Sequence, residues 1–91
     1  YDLIQADPIK PVNPIGSWNT ARIVSKDGKV SHWLNDEKVL EYDRSTDAFL
    51  QLVQESKYKD WPGFGTLERG NILLQDHGNR VSFKNIKIKE L

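Results

Sequence analysis

From Trp18 onward the chain alternates apolar and polar residues with a period of two, the pattern of a half-buried strand. "WNTARIVS" sets Ala21 and Ile23 on one face and Arg22 on the other. Asp27-Gly28 then gives a hairpin signal, because glycine tolerates positive φ. In "KVSHWLN", Val30, His32 and Leu34 share one face, and Ser31, Trp33 and Asn35 share the other. Asn35-Asp36 predicts a second tight turn, and "EKVLEYD" a third strand. The three segments read as an antiparallel meander.

The alternation breaks at "RSTDAFLQLVQES". Ser45 or Thr46 can cap a helix start, Asp47 favours its first turn, and Phe49, Leu52 and Val53 form one apolar stripe. One short helix is expected near 46–55. "KYKDWPGFGTLERG" is a loop punctuated by Pro62, Gly63, Gly65 and Gly70. "NILLQDH" and "RVSFKNIKIKEL" return to strand patterning, joined at Gly78-Asn79, with Phe83 and Ile86 expected in the core. Ahead of the meander, Pro8, Pro11 and Pro14 fix an extended connector; a Pro-x-x-Pro recognition peptide is the competing reading.

The fold class is therefore all-β, antiparallel, with one short helix. One sheet and one helix cover an apolar face poorly, and sandwiches solve this with a second sheet. The expectation is an incomplete β-sandwich, with part of the domain lying N-terminal to Tyr1. The start at Tyr1, not Met, adds the expectation of a processed or truncated chain.

Composition narrows the partners. Thirteen Lys+Arg balance thirteen Asp+Glu over 91 residues, so no net charge favours nucleic acid or an anionic membrane. No apolar run approaches the ~20 residues of a membrane span, and no signal peptide is visible. There is no cysteine, hence neither disulfide framework nor thiolate metal site, and the two histidines have no metal-ligand spacing. The glycines of "PGFGTLERG" match no phosphate loop, and no nucleophile elbow is present.

The candidate chemistry sits in "LLQDHG". Ile72 and Leu74 point to one side, expected to be the core; Gln75 and His77 point to the other. Gln75 offers amide donors and an acceptor, and His77 can exchange a proton near neutral pH. Asp76 can orient a neighbour or, in the structural reading, cap backbone donors before Gly78. Trp33 with Asn35 suits sugar, since pyranose faces stack on indole and hydroxyls pair with amides. Trp18-Asn19 repeats the pairing, and Arg22 could hold an oxygen or remain solvated. His32, in step with Val30 and Leu34, reads as a half-buried, hydrogen-bonded histidine.

Together "SWN", "HWLN", "SKY…PGFG", "ILLQDHG…VSFKNIKIKEL" and the opening "YDLI…P" resemble the 3-keto-disaccharide hydrolase family along nearly the whole chain. The resemblance covers about the C-terminal half of the family's domain, so residues 1–91 are expected to be the C-terminal part of a single domain. It implies a concanavalin-A-like lectin/glucanase jelly roll, bacterial export to the periplasm or cell surface, and a carbohydrate substrate. No cofactor is implied. The activity implied is cleavage of glycosides whose sugar bears a ketone at carbon 3. That ketone acidifies the hydrogen on carbon 2; a base removes it, a donor holds the enolate, the carbon-1 group departs and water adds. His77 is then the base and Asp76 its orienter or alternative. Gln75, Asn35, Asn19 or Arg22 would bind oxygens, and Trp33 or Trp18 would stack. A non-catalytic carbohydrate-binding module and a purely structural β domain are the alternatives. Ser17 replaces the family's usual Glu before Trp-Asn, and Asp36 the usual Gly after Asn35.

Overall fold

The structure, a computed structural model, describes residues 3–91. Tyr1 and Asp2, the first half of the "YDLI" stretch, lie outside the described residues. The meander is present. β1 (Ala21–Lys26), β2 (Lys29–Leu34) and β3 (Glu37–Asp43) form one antiparallel sheet in the order β1-β2-β3, and α1 (Asp47–Gln54) follows.

Both hairpins are two-residue loops with positive φ at each position: Asp27 at 52° and Gly28 at 82°, Asn35 at 47° and Asp36 at 67°. This mirror-image turn matches the right-handed twist of the flanking strands, which is why short polar residues and glycine occupy it. A Cβ on Gly28 would meet the Ser45 Cβ at 3.1 Å, so the hairpin tip fits closely against the chain leaving β3.

The β2–β3 register is interrupted. His32 pairs with Leu40 but Trp33 with Lys38, which leaves Val39 as the extra residue of a β-bulge. The Val39 carbonyl accepts from the Asp7 N–H at 2.8 Å, fastening the proline-rich connector to the β3 edge.

Thr46 caps α1: its Oγ1 accepts from Phe49 N at 3.2 Å and donates to the Asp43 carbonyl at 3.0 Å, with Asp47 in the first turn. Among the described residues, Phe49 and Val53 on the apolar stripe join Val30 and Tyr58 in the core. Burial of a Val or Phe of this kind contributes about 1.5–3 kcal/mol. Tyr42 lies between the sheet and the helix, stacked on Phe49 at 5.7 Å and edge-on to His32 at 5.8 Å.

Two expectations are corrected. β1 begins at Ala21, because Trp18 and Asn19 are engaged by Asn13 instead of by a strand. Residues 71–91 form no strand: Ile72, Leu74, Phe83 and Ile86 are exposed, Phe83 at 49% and Ile86 at 59%. A strand exists only through its ladder, and no described strand lies beside this segment to satisfy its backbone groups. The alternation also changes parity inside it. Val81 and Phe83 fall on odd positions, Ile86 and Ile88 on even ones, and Asn85 between them has φ of 55°.

Candidate functional site

The sheet has two unlike faces. Val30, His32, Leu40 and Tyr42 pair across β2 and β3 on the face that α1 covers. On the other face Trp33 is central. Arg22, its partner on β1, holds its guanidinium over the indole at 4.6 Å from the ring centre. Trp33 Nε1 donates to Ser31 Oγ at 3.1 Å, which fixes the ring along β2.

The bulge adds a charged pair to this face. Residues three apart in a regular strand point to opposite sides. With Val39 as the extra residue, Lys38 stands opposite Trp33 and Glu41 opposite Ser31, both on the indole side. Lys38 Nζ and Glu41 Oε2 meet at 2.6 Å. The hydrogen bond from Lys38, then its charge, holds the Glu41 carboxyl below its ordinary range. An indole, a guanidinium, an ammonium, a carboxylate and a hydroxyl thus share one surface. Strict alternation assigns Lys38 and Glu41 to opposite faces, so the sequence pattern could not select this pair.

Asn19 and Asn35 are brought together, but as structural amides. Asn35 donates through Nδ2 to the Pro11 carbonyl and, at 2.9 Å, to Asn19 Oδ1. Its Oδ1 accepts from Thr20 N at 2.8 Å. Asn19 Oδ1 also accepts from Asn13 N at 2.8 Å. Both N–H groups of the Asn35 amide are committed to holding the connector and the start of β1 against the β2–β3 turn. Trp18 is 51% exposed, and Lys84 Nζ lies over its ring at 4.2 Å.

Gln75, Asp76 and His77 are exposed in the C-terminal segment. Asp76 Oδ1 accepts from Gly78 N at 3.3 Å, the turn-capping geometry. Among the described residues no hydrogen bond or ring contact joins these three to Trp33, Arg22 or Asn35. His32 lies on the core face, where burial lowers its pKa from the ordinary 6.5. No described group of three His, Cys, Asp or Glu side chains could hold a metal ion. No described helix is long and apolar enough to cross a membrane.

Two grooves open near the helix. One, of about 480 Å³, lies at the β1–β2 hairpin tip between Lys26, Asp27, Arg44, Ser45, Thr66 and Glu68. The other, of about 260 Å³, lies beside Trp61.

The chain belongs to the family of 3-keto-alpha-glucoside-1,2-lyase-like domains, whose family model matches residues 1–89. It is 42% identical over 101 aligned positions to a 3-keto-disaccharide hydrolase of Bacteroides thetaiotaomicron; the alignment takes in all of this chain and 34% of that protein. The chain therefore spans about a third of the length of this relative. It is also similar to the crystal structure of a candidate glycosyl hydrolase from Parabacteroides distasonis, with a TM-score of 0.57 and 34% identity over 65% of this chain and 26% of that one.

Proposed function

We propose that this chain is the C-terminal part of a jelly-roll domain of a bacterial enzyme that cleaves 3-keto-glycosides. The observation that carries the reading is the family match over residues 1–89, joined to 42% identity with a 3-keto-disaccharide hydrolase. The Trp33 face supports it with the groups a sugar requires: an indole for the ring and charged partners for hydroxyls.

In this reading a base takes the proton from carbon 2 of the keto-sugar. The electron pair moves onto the carbon-3 oxygen, and a positive or N–H donor holds that enolate. The enolate pair then returns to form the carbon-1–carbon-2 double bond as the bond to the carbon-1 oxygen breaks, that oxygen takes up the proton held by the base, and water then adds to the unsaturated sugar. His77 is the proposed base, since its exposed imidazole offers a ring nitrogen that can accept a proton from the substrate. Arg22 and Gln75 are the proposed oxygen-binding groups, and Trp33 the stacking one once the Arg22 guanidinium leaves its ring for a sugar oxygen. Asn35 is a poor substrate ligand while both its N–H groups hold the fold. Asp76 is occupied on one oxygen by Gly78 N and serves as orienter through the other. Export to the periplasm or cell surface completes the proposal, with the rest of the domain supplying the second sheet.

The turn-capping role of Asp76, whose Oδ1 accepts from Gly78 N, favours one rival, a non-catalytic carbohydrate-binding module. The test is His77→Ala in the protein that carries this segment, assayed on a 3-keto-glucoside and by calorimetry. A fall in turnover of about 10²–10⁴-fold with sugar affinity retained is the expected outcome. Turnover that survives the change puts the base elsewhere. Sugar binding without any turnover in the parent protein supports the module, and no binding heat at all overturns both readings.

A further inference from the structure

The loop after α1 is built to hold one large aromatic residue in solvent. Tyr58 is 4% exposed and stacks on Phe64, ring centres 4.3 Å apart and planes 6° from parallel. Trp61 N donates to the Tyr58 carbonyl, Phe64 N to the Trp61 carbonyl and Thr66 N to the Gly63 carbonyl, at 3.0–3.1 Å, so tight turns follow one another. Arg44 reaches over from the end of β3 and donates through Nη1 to the carbonyls of Gly65 and Leu67, each at 3.0 Å. Gly65 has φ of 73°, and a Cβ there would stand 2.9 Å from the Phe49 ring. Core, clamp and glycine together fix this backbone.

Trp61 gains little from that arrangement in burial. It remains 55% exposed, meeting Tyr58 and Phe64 only edge to face, at 5.3 and 6.0 Å. Its indole borders the groove of about 260 Å³, whose walls are apolar at Leu50, Val53, Pro62 and Phe64 and polar at Gln54, Lys59 and Thr66. An exposed indole on a fixed backbone loses little side-chain freedom on binding a flat apolar ring. Amide, ammonium and hydroxyl groups beside it offer both donors and acceptors. A pyranose has one apolar face and a hydroxyl edge, and fits the pairing.

We propose that Trp61 is a sugar-stacking platform, forming with Gln54, Lys59 and Thr66 a second carbohydrate subsite separate from the Trp33 face. The inference rests on the carbohydrate reading above and adds a place where an oligosaccharide, not a single ring, gains affinity.

The test uses the protein that carries this segment, with maltotetraose and cellotetraose as probes. Trp61→Ala is expected to weaken binding of at least one tetrasaccharide about fivefold to tenfold. Turnover of a one-ring aryl 3-keto-glucoside should stay at the parent value. Because Trp61→Ala also removes two ring contacts, the parent protein is titrated as well. The Trp61 indole N–H signal, assigned by its loss in Trp61→Phe, should shift saturably with sugar. An unmoved Trp61 signal at sugar concentrations that shift other residues overturns the inference, as does unchanged tetrasaccharide affinity in Trp61→Ala. Absence of all sugar binding and turnover overturns the carbohydrate reading itself, and this subsite with it.

Discussion

Asn35 shows how much one side chain decides. It sits at positive φ in a turn and also fastens Pro11, Asn19 and Thr20. Each such hydrogen bond contributes about 1 kcal/mol net, and more when a half-buried partner is left unpaired. Asn35→Ala is therefore expected to cost about 2–4 kcal/mol, read as a lower urea midpoint at unchanged slope. Asn35→Asp keeps the acceptor for Thr20 N but sets a carboxylate oxygen against the Pro11 and Asn19 oxygens, and should cost at least as much. His32 predicts a pH effect. Burial lowers its folded-state pKa, so the folded chain binds fewer protons than the unfolded one. The contribution is complete above the ordinary value of 6.5 and is lost as pH falls through it towards the depressed folded value. His32→Phe should remove that acid-side decline, seen by comparing urea midpoints across pH 7 to about 5.

At the scale of elements, turn chemistry and bulge geometry divide the work. Asp36 stands at φ of 67°, where an L-residue is strained and glycine is not. Asp36→Gly should stabilise the chain by about 0.5–1 kcal/mol, measured as a raised melting temperature. The reverse holds in the loop. Gly65→Ala forces a Cβ against the Phe49 ring at positive φ and should cost about 1–3 kcal/mol. Helix α1 was readable almost to the residue, since its cap, first-turn acid and apolar stripe all lie within a dozen positions. Both hairpins were equally legible, because a two-residue turn needs only its own two residues and the strands beside it. The bulge at Val39 was not: nothing local distinguishes it from regular alternation, and it arises from how β3 meets β2 and receives Asp7.

For the molecule as a whole, the described residues bury few apolar side chains, while Ile23 is 67% exposed on the helix side of the sheet. Val81, Phe83, Ile86 and Ile88 are exposed as well. A small chain with that balance has little stability to spare. In hydrogen exchange on residues 1–91 alone, amides of β2 should be protected and those of 71–91 should exchange as in an unfolded peptide. In the protein that carries this segment, the proposal of a second sheet predicts protection of alternating amides in 80–90. Unprotected amides there would leave the jelly-roll proposal without support.

What is settled within a few residues of each position was legible in the sequence: two mirror-image turns, a capped helix and a proline-stiffened connector. The sequence also carried the family, because that pattern of residues survives along the whole chain. Tertiary structure alone decided which side chains meet. It spent the amides of Asn19 and Asn35 on the fold, laid Arg22 on Trp33, and turned Lys38 and Glu41 to the same face. It also left Gln75, Asp76 and His77 outside any strand. The physical reason is range. Turns and caps are satisfied by neighbours in sequence, whereas strands, faces and sites exist only where distant segments supply the other half of each contact.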